Sequence, residues 1–138
     1  EERGTFTALH STPCTPLSIA STMGNDAVIA LLLEKGADVS AKSNRGGTPL
    51  HEAAENCHKY VVLLLLDNGS DVTAVNDDGD APLHISARRG DEGVVQLLID
   101  KGADMAAVNG EGDTALHSAA LQGDDLVVRM LIERGADM

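Results

Sequence analysis

One interval, 33 residues, recurs along this chain in three independent residue classes. Thr15-Pro16-Leu17, Thr48-Pro49-Leu50, Ala81-Pro82-Leu83 and Thr114-Ala115-Leu116 begin 33 residues apart. Gly36, Gly69, Gly102 and Gly135 keep the interval, and so do Leu32, Leu65, Leu98 and Leu131. A fixed period of this length, unbroken by any insertion, makes each unit one supersecondary element that meets only its neighbours. It predicts four units, near 10–42, 43–75, 76–108 and 109–138, within a single domain over 1–138. At the head of the chain, Phe6-Thr7-Ala8-Leu9-His10 lies 66 residues before Val72-Thr73-Ala74-Val75-Asn76. Residues 1–14 therefore read as the tail of an upstream repeat. Met138 aligns with the mid-unit residues Val39, Val72 and Met105, so the natural array is expected to be longer.

The second unit shows what each must look like. Thr48 is a good helix N-cap, and Pro49 suits the first turn, where its missing N–H has no partner to lose. Leu50, Ala53 and Ala54 share one helical face, and the alanines let another helix come close. Asn56-Cys57-His58 breaks the chain. A second helix follows, with Val61, Val62, Leu64 and Leu65 inward, and Asn68-Gly69 ends it. From Ser70 to Gly79 the sequence is rich in Asp, Asn and Gly, as in a hairpin-like turn. The expected helices are 16–23, 27–35, 49–56, 59–67, 82–89, 92–100, 115–122 and 125–133. The fold class is thus all-α, a solenoid of stacked helix–turn–helix units joined by hairpin-like links. Composition agrees: 43% of residues are hydrophobic, yet the chain has one Phe and one Tyr. A core of Leu, Val, Ile and Ala suits closely packed helices better than a sandwich of sheets.

Thr48-Pro49-Leu50-His51-Glu52-Ala53-Ala54 and Gly36-Ala37-Asp38-Val39 resemble the signature of the ankyrin repeat family. The resemblance covers 15–138 and, more loosely, 6–14. It implies paired antiparallel helices, hairpins projecting at about a right angle, and a concave face used for protein recognition. Two departures fall in the first unit. Ser18 stands where the other units have His51, His84 and His117, and Pro13 stands where they have Gly46, Gly79 and Gly112.

Charge and motifs narrow the function. The formal net charge of −12 repels phosphate backbones and anionic membranes. Nucleic-acid and membrane partners are therefore not expected. Cys14 and Cys57 lack metal or redox spacing and read as reduced, intracellular thiols. His51, His84 and His117 are one repeat apart, so they form a ladder and do not converge on a point. They are expected to tie each helix start to the adjacent hairpin rather than to act in catalysis. Asp77-Asp78-Gly79-Asp80 lacks the alternating ligands and distal Glu of a calcium loop. Asn68-Gly69-Ser70 matches a glycosylation pattern but sits at a helix end inside the repeat. Neither a cofactor nor an enzymatic activity is expected.

What remains is recognition. Residues that recur every period serve the fold, and residues that change at exposed places are free to serve binding. At the tips these are Asn44, Arg45, Asp77, Asp78, Asp80, Gly110, Glu111 and Asp113; along the inner helices they are Thr22, Met23, Glu55, Asn56, Arg88, Arg89, Leu121 and Gln122. The expected function is a monomeric, scaffold-like protein–protein interaction module. Its acidic tips would meet a protein with a basic edge, and Arg88 and Arg89 would receive a carboxylate. The other reading is a structural spacer or autoinhibitory segment of a larger protein. Tyr60 and Leu63, three residues apart on an outer helix, are a possible accessory contact.

Overall fold

The structure, a computed structural model, describes residues 15–138. Phe6 to His10, Pro13 and Cys14, on which several expectations rest, lie outside those residues. Eight helices follow in pairs: α1 Pro16–Met23 and α2 Asp26–Glu34, α3 Pro49–Glu55 and α4 Lys59–Asp67, α5 Pro82–Arg89 and α6 Glu92–Asp100, α7 Ala115–Gln122 and α8 Asp125–Glu133. No strand occurs among the described residues. Six helices have the predicted limits. Helix α2 starts and ends one residue early, because Asn25 is its N-cap and accepts the Val28 N–H at 3.3 Å. Helix α3 ends at Glu55, because the Asn56 side chain turns back to donate to the Glu52 carbonyl.

Each helix packs against its own partner and its counterparts in the neighbouring units. The odd-numbered helices form an inner row and the even-numbered ones an outer row. Ala53, Ala54, Ala87 and Ala119 are fully buried on the inner row. With so little side chain between them, inner helices meet more closely than outer ones, so the array curves with the inner row on its concave side. Leu50, Val62, Leu65, Val94, Val95, Leu98 and Leu131 complete a single continuous core. Burial removes apolar surface at about 25 cal/mol per Å², and no unit could achieve it without its neighbours.

The turn between paired helices is left-handed. Gly24, Gly90 and Gly123 each have φ +74°, and Cys57 fills the equivalent place in the second unit with φ +59°. It is the one non-glycine residue with positive φ among those described. The spot is crowded as well: a Cβ on Gly24 would meet the His58 ring at 2.6 Å, and one on Gly90 would meet the Asp124 carboxylate. Cys57 faces the equivalent Asp91, and burial together with that carboxylate pushes its thiol up from the ordinary cysteine range. Both effects disfavour the thiolate and so weaken Cys57 as a nucleophile. The left-handed backbone costs a side chain about 1 kcal/mol, more than a half-exposed thiol contact returns. Cys57→Gly is therefore expected to raise the midpoint of thermal unfolding by a few degrees, measured by circular dichroism. A lower midpoint would mean that the Asp91 contact outweighs the strain.

Candidate protein-binding surface

The concave side is built by the histidines and the link turns. In the second unit His51 Nδ1 accepts the Thr48 N–H at 3.0 Å, leaving the ring proton on Nε2. That Nε2–H donates to the Asp80 carbonyl, 2.9 Å away, in the next link. His84 repeats the arrangement, accepting the Ala81 N–H at 3.0 Å and donating to the Asp113 carbonyl at 3.0 Å and the Ala107 carbonyl at 3.1 Å. His117 Nδ1 accepts the Thr114 N–H at 3.0 Å. Each ring thus caps its own helix, and His51 and His84 also hold the following link. This is the role expected of the ladder.

The links are closed by Asx turns. Asn76 Oδ1 accepts the N–H groups of Asp78 and Asp80, and Asn109 Oδ1 those of Glu111 and Asp113. Asn76 N–H donates to Asp80 O at 3.0 Å, and Gly79 N–H to Asn76 O at 2.9 Å. Neighbouring tips join through Asp77 N–H to Arg45 O and Gly110 N–H to Asp78 O, both 2.9 Å. A Cβ on Gly79 would sit 2.6 Å from the Gly110 nitrogen, so only glycine lets the tips approach this closely. The repeated Asn-x-x-Gly spacing was the available signal.

Three clefts run side by side between tips and inner helices. The first, about 250 Å³, is lined by Ile19, Thr22, Arg45 and Glu52 among others. The second, about 340 Å³, shares Arg45 and Glu52 and adds Glu55, Asp78, Ile85 and Arg88. The third, about 500 Å³, is lined by Asp77, Asp78, Asp80, Arg88, Asn109, Gly110 and Glu111. Ile19 and Glu52 escaped the sequence reading, although they occupy one register position and differ between units.

Two expectations need correction. Asp80 is not a free tip residue but is 4% exposed. It accepts from Arg88 at 3.0 Å and from Asn109 at 2.9 Å, because the Asx turn folds it under the tip. Arg88 and Arg89 are not free forks either. Arg88 is paired with Asp80, and Arg89 with Glu55 of the preceding unit, its Nε donating at 2.8 Å. Asp113 is half-buried, and its carbonyl is committed to His84. Asn56 is exposed, with its amide on its own helix end. Asn44, Arg45, Asp77, Asp78, Glu111, Leu121 and Gln122 are exposed, and Glu55 is half-buried beneath Arg89. On the outer row Tyr60 is 56% exposed and Leu63 is half-buried.

A family model described as ankyrin repeats (three copies) matches residues 4–76 and again 68–138. The chain belongs to the ankyrin repeat family. No curated protein matches it. Ankyrin repeats are generally protein–protein interaction modules. In this ankyrin chain no described helix is long and apolar enough to cross a membrane. No group of three or more His, Cys, Asp or Glu poised to hold a metal occurs among the described residues.

Two measurements test this ankyrin scaffold. Asp80→Ala leaves Asn109 and Arg88 without their shared acceptor, so urea unfolding should show a loss of about 1–2 kcal/mol. Asp77→Ala and Asp78→Ala, on exposed side chains, should stay within about 0.5 kcal/mol of the parent. Equal losses for all three would mean that Asp80 does not anchor the tip.

The second concerns pH. Burial pushes the His51 pKa down from its ordinary value, and the bond to the Asp80 carbonyl only partly opposes this. The unfolded chain, with its histidine near pH 6.5, then binds more protons than the folded one just below that pH. The His51 contribution is complete above about pH 6.5 and declines as pH falls toward the depressed folded value. Unfolding free energies measured from pH 8 to 5 should show a decline that is smaller in His51→Gln. An identical slope in both proteins would mean that the ring titrates freely in the fold.

Proposed function

We propose that this chain is a non-catalytic recognition module that takes a protein partner with a basic surface onto its concave face. The observation that supports this most is the run of three adjoining clefts whose carboxylates exceed their internal partners. The four ion pairs of the described residues are Arg88–Asp80, Arg89–Glu55, Lys101–Asp67 and Arg134–Asp100. None of them compensates Glu52, Asp77, Asp78 or Glu111, which line the clefts. The clefts are lined mainly by charged and polar side chains, a chemistry that suits contact with a charged partner. Charge of one sign along a groove raises the association rate of an oppositely charged partner and makes that rate sensitive to salt.

The test is capture of proteins by the purified chain and by its Asp77→Lys/Asp78→Lys/Glu111→Lys variant, with folding verified by thermal melting. Partners retained by the parent should be lost from the variant, and their association with the parent should slow as salt is raised. The same partners held equally by both chains would move the site off this face.

A further inference from the structure

Two unlike faces meet at every internal junction of the stack, and one of each kind stands uncovered. In the third unit His84, Ala87 and Val95 are buried, whereas their counterparts in the fourth, His117, Ala120 and Val128, are exposed or half-buried. In the second unit Pro49, Val61 and Leu65 are buried, whereas their counterparts in the first, Pro16, Val28 and Leu32, are exposed or half-buried. The most exposed large apolar side chains on the helices, Met23 at 71% and Leu121 at 75%, belong to the same two units. Solenoids cover such faces with a further unit or a polar cap. We propose that a second copy of this chain covers them, the first unit of one copy stacking on the fourth unit of another in the register of the internal junctions. This contact is separate from the concave face.

The pairings inside the stack select this occupant. On the outer row Asp67 meets Lys101 at 3.6 Å and Asp100 meets Arg134, each acid closing one outer helix and each base following the next. Glu133 is the next acid of that series and closes α8, and Lys35 follows α2 in the register place of Lys101 and Arg134. Neither takes part in an ion pair among the described residues. Stacking in register brings Glu133 of one copy to Lys35 of the second. On the inner row Glu55 accepts from Arg89 Nε at 2.8 Å across the second and third units. Leu121 holds the place of Glu55 two units on, and Met23 that of Arg89 two units back. The same stacking therefore brings Leu121 of one copy to Met23 of the second. The exposed acid meets a base, and the exposed apolar residue meets another. Beside them a cleft of about 440 Å³, lined by Val128, Ile132 and Glu133 among others, leaves room for side chains of the incoming unit. Joining unlike faces leaves one of each kind free on every pair, so the association is an open series and not a closed dimer. The monomer expected from the sequence would give way to this series as concentration rises.

The experiment is analytical ultracentrifugation of the purified chain over a range of concentrations. The mean mass should rise with concentration past that of a dimer. Each copy carries a formal net charge of −12, so added salt should strengthen the contact, whereas a basic partner on the concave face would show the opposite dependence. Leu121→Asp/Ile132→Asp blocks the fourth unit and Met23→Asp/Val28→Asp blocks the first. Each of these chains alone should self-associate about tenfold more weakly than the parent. Mixed in equal amounts they should form a dimer and stop there, because the mixture retains one intact face of each kind. All four side chains are exposed, and unchanged melting curves would show that folding is intact. Lys35→Glu should weaken association about two- to fivefold, and adding Glu133→Lys to the same chain should restore it. Both positions lie on the surface, so the charge exchange decides the matter even if an apolar variant unfolds. A monomeric mass up to about 1 mM overturns the proposal. So does an association that salt weakens, a mixture of folded blocked chains that stays monomeric, or a doubly exchanged chain no better than Lys35→Glu alone.

Discussion

The architecture depends on one buried hydrogen bond, repeated: a histidine Nε2–H donating to a carbonyl of the next link, as His51 does to Asp80 and His84 to Asp113. Stacking alone buries the apolar faces, but apolar contact is non-directional and tolerates sliding. The imidazole removes that freedom. Its Nδ1 is fixed by the N-cap N–H of its own helix, so Nε2 can point only at the neighbouring link. Helix start, link turn and neighbouring unit are thereby held to one register. Where the first unit has Ser18, this link is missing. A hydroxyl–carboxylate contact between Thr22 and Glu52, at 3.3 Å, joins that unit's inner helix to the next. His58 Nε2 also meets the Thr22 carbonyl at 3.0 Å, so the concave surface near Ile19 rests on a different set of ties from the rest.

Charge follows the same periodic logic. Glu55–Arg89, Asp67–Lys101 and Asp100–Arg134 are each separated by 34 residues, one period plus one. They lie across neighbouring units and, being exposed, contribute little each, about 0.2–1 kcal/mol. Their larger consequence is for recognition. Each basic side chain bound internally is withdrawn from the surface on which a partner would find it. Pairing Arg88 with Asp80 and Arg89 with Glu55 leaves the net charge of an array of 10 basic and 22 acidic residues unchanged, but it settles which carboxylates of the groove stay outside ion pairs: Glu52, Asp77, Asp78 and Glu111.

The fold was legible because its signals are local and repeated. The period, the Thr-Pro-Leu starts and the glycine ends each fix a boundary, and repetition removes the ambiguity of any single one. The left-handed turn at Cys57 was legible for the same reason, since three glycines at equivalent places reveal the backbone that the cysteine must adopt. The surface was legible only in part. Subtracting recurrent residues finds positions that vary, but variation does not reveal who is paired with whom. Asp80 varies in its register, which by itself predicts an exposed side chain. It is buried because Asn76, four residues earlier, turns the link back on itself. Arg89 looks like a free fork in sequence because its acceptor, Glu55, lies in another unit. Pairings that cross a period are three-dimensional facts that residue type alone does not reveal.

A recognition surface on a solenoid faces a constraint that a globular site escapes. Every unit must present the same face to its neighbours, so specificity has to come from the few positions that stacking leaves alone. Here those positions do not vary at random. The register of Thr22, Glu55, Arg88 and Leu121 runs from hydroxyl through an acid and a base to an apolar residue, and only the two middle members are tied into ion pairs. The acid and base of that register thus belong to the scaffold, and the carboxylates outside ion pairs stand at the tips, where Asp77, Asp78 and Glu111 are exposed. The tips are held by backbone bonds from Asp77 to Arg45 and from Gly110 to Asp78, so their carboxylates sit at fixed spacing without using their side chains to do so. The backbone sets where the charges stand and leaves the side chains of Asp77, Asp78 and Glu111 exposed. That division allows Asp77, Asp78 and Glu111 to change identity without disturbing the stack, while Gly79, Asp80 and the buried alanines of the inner row are confined by the packing around them.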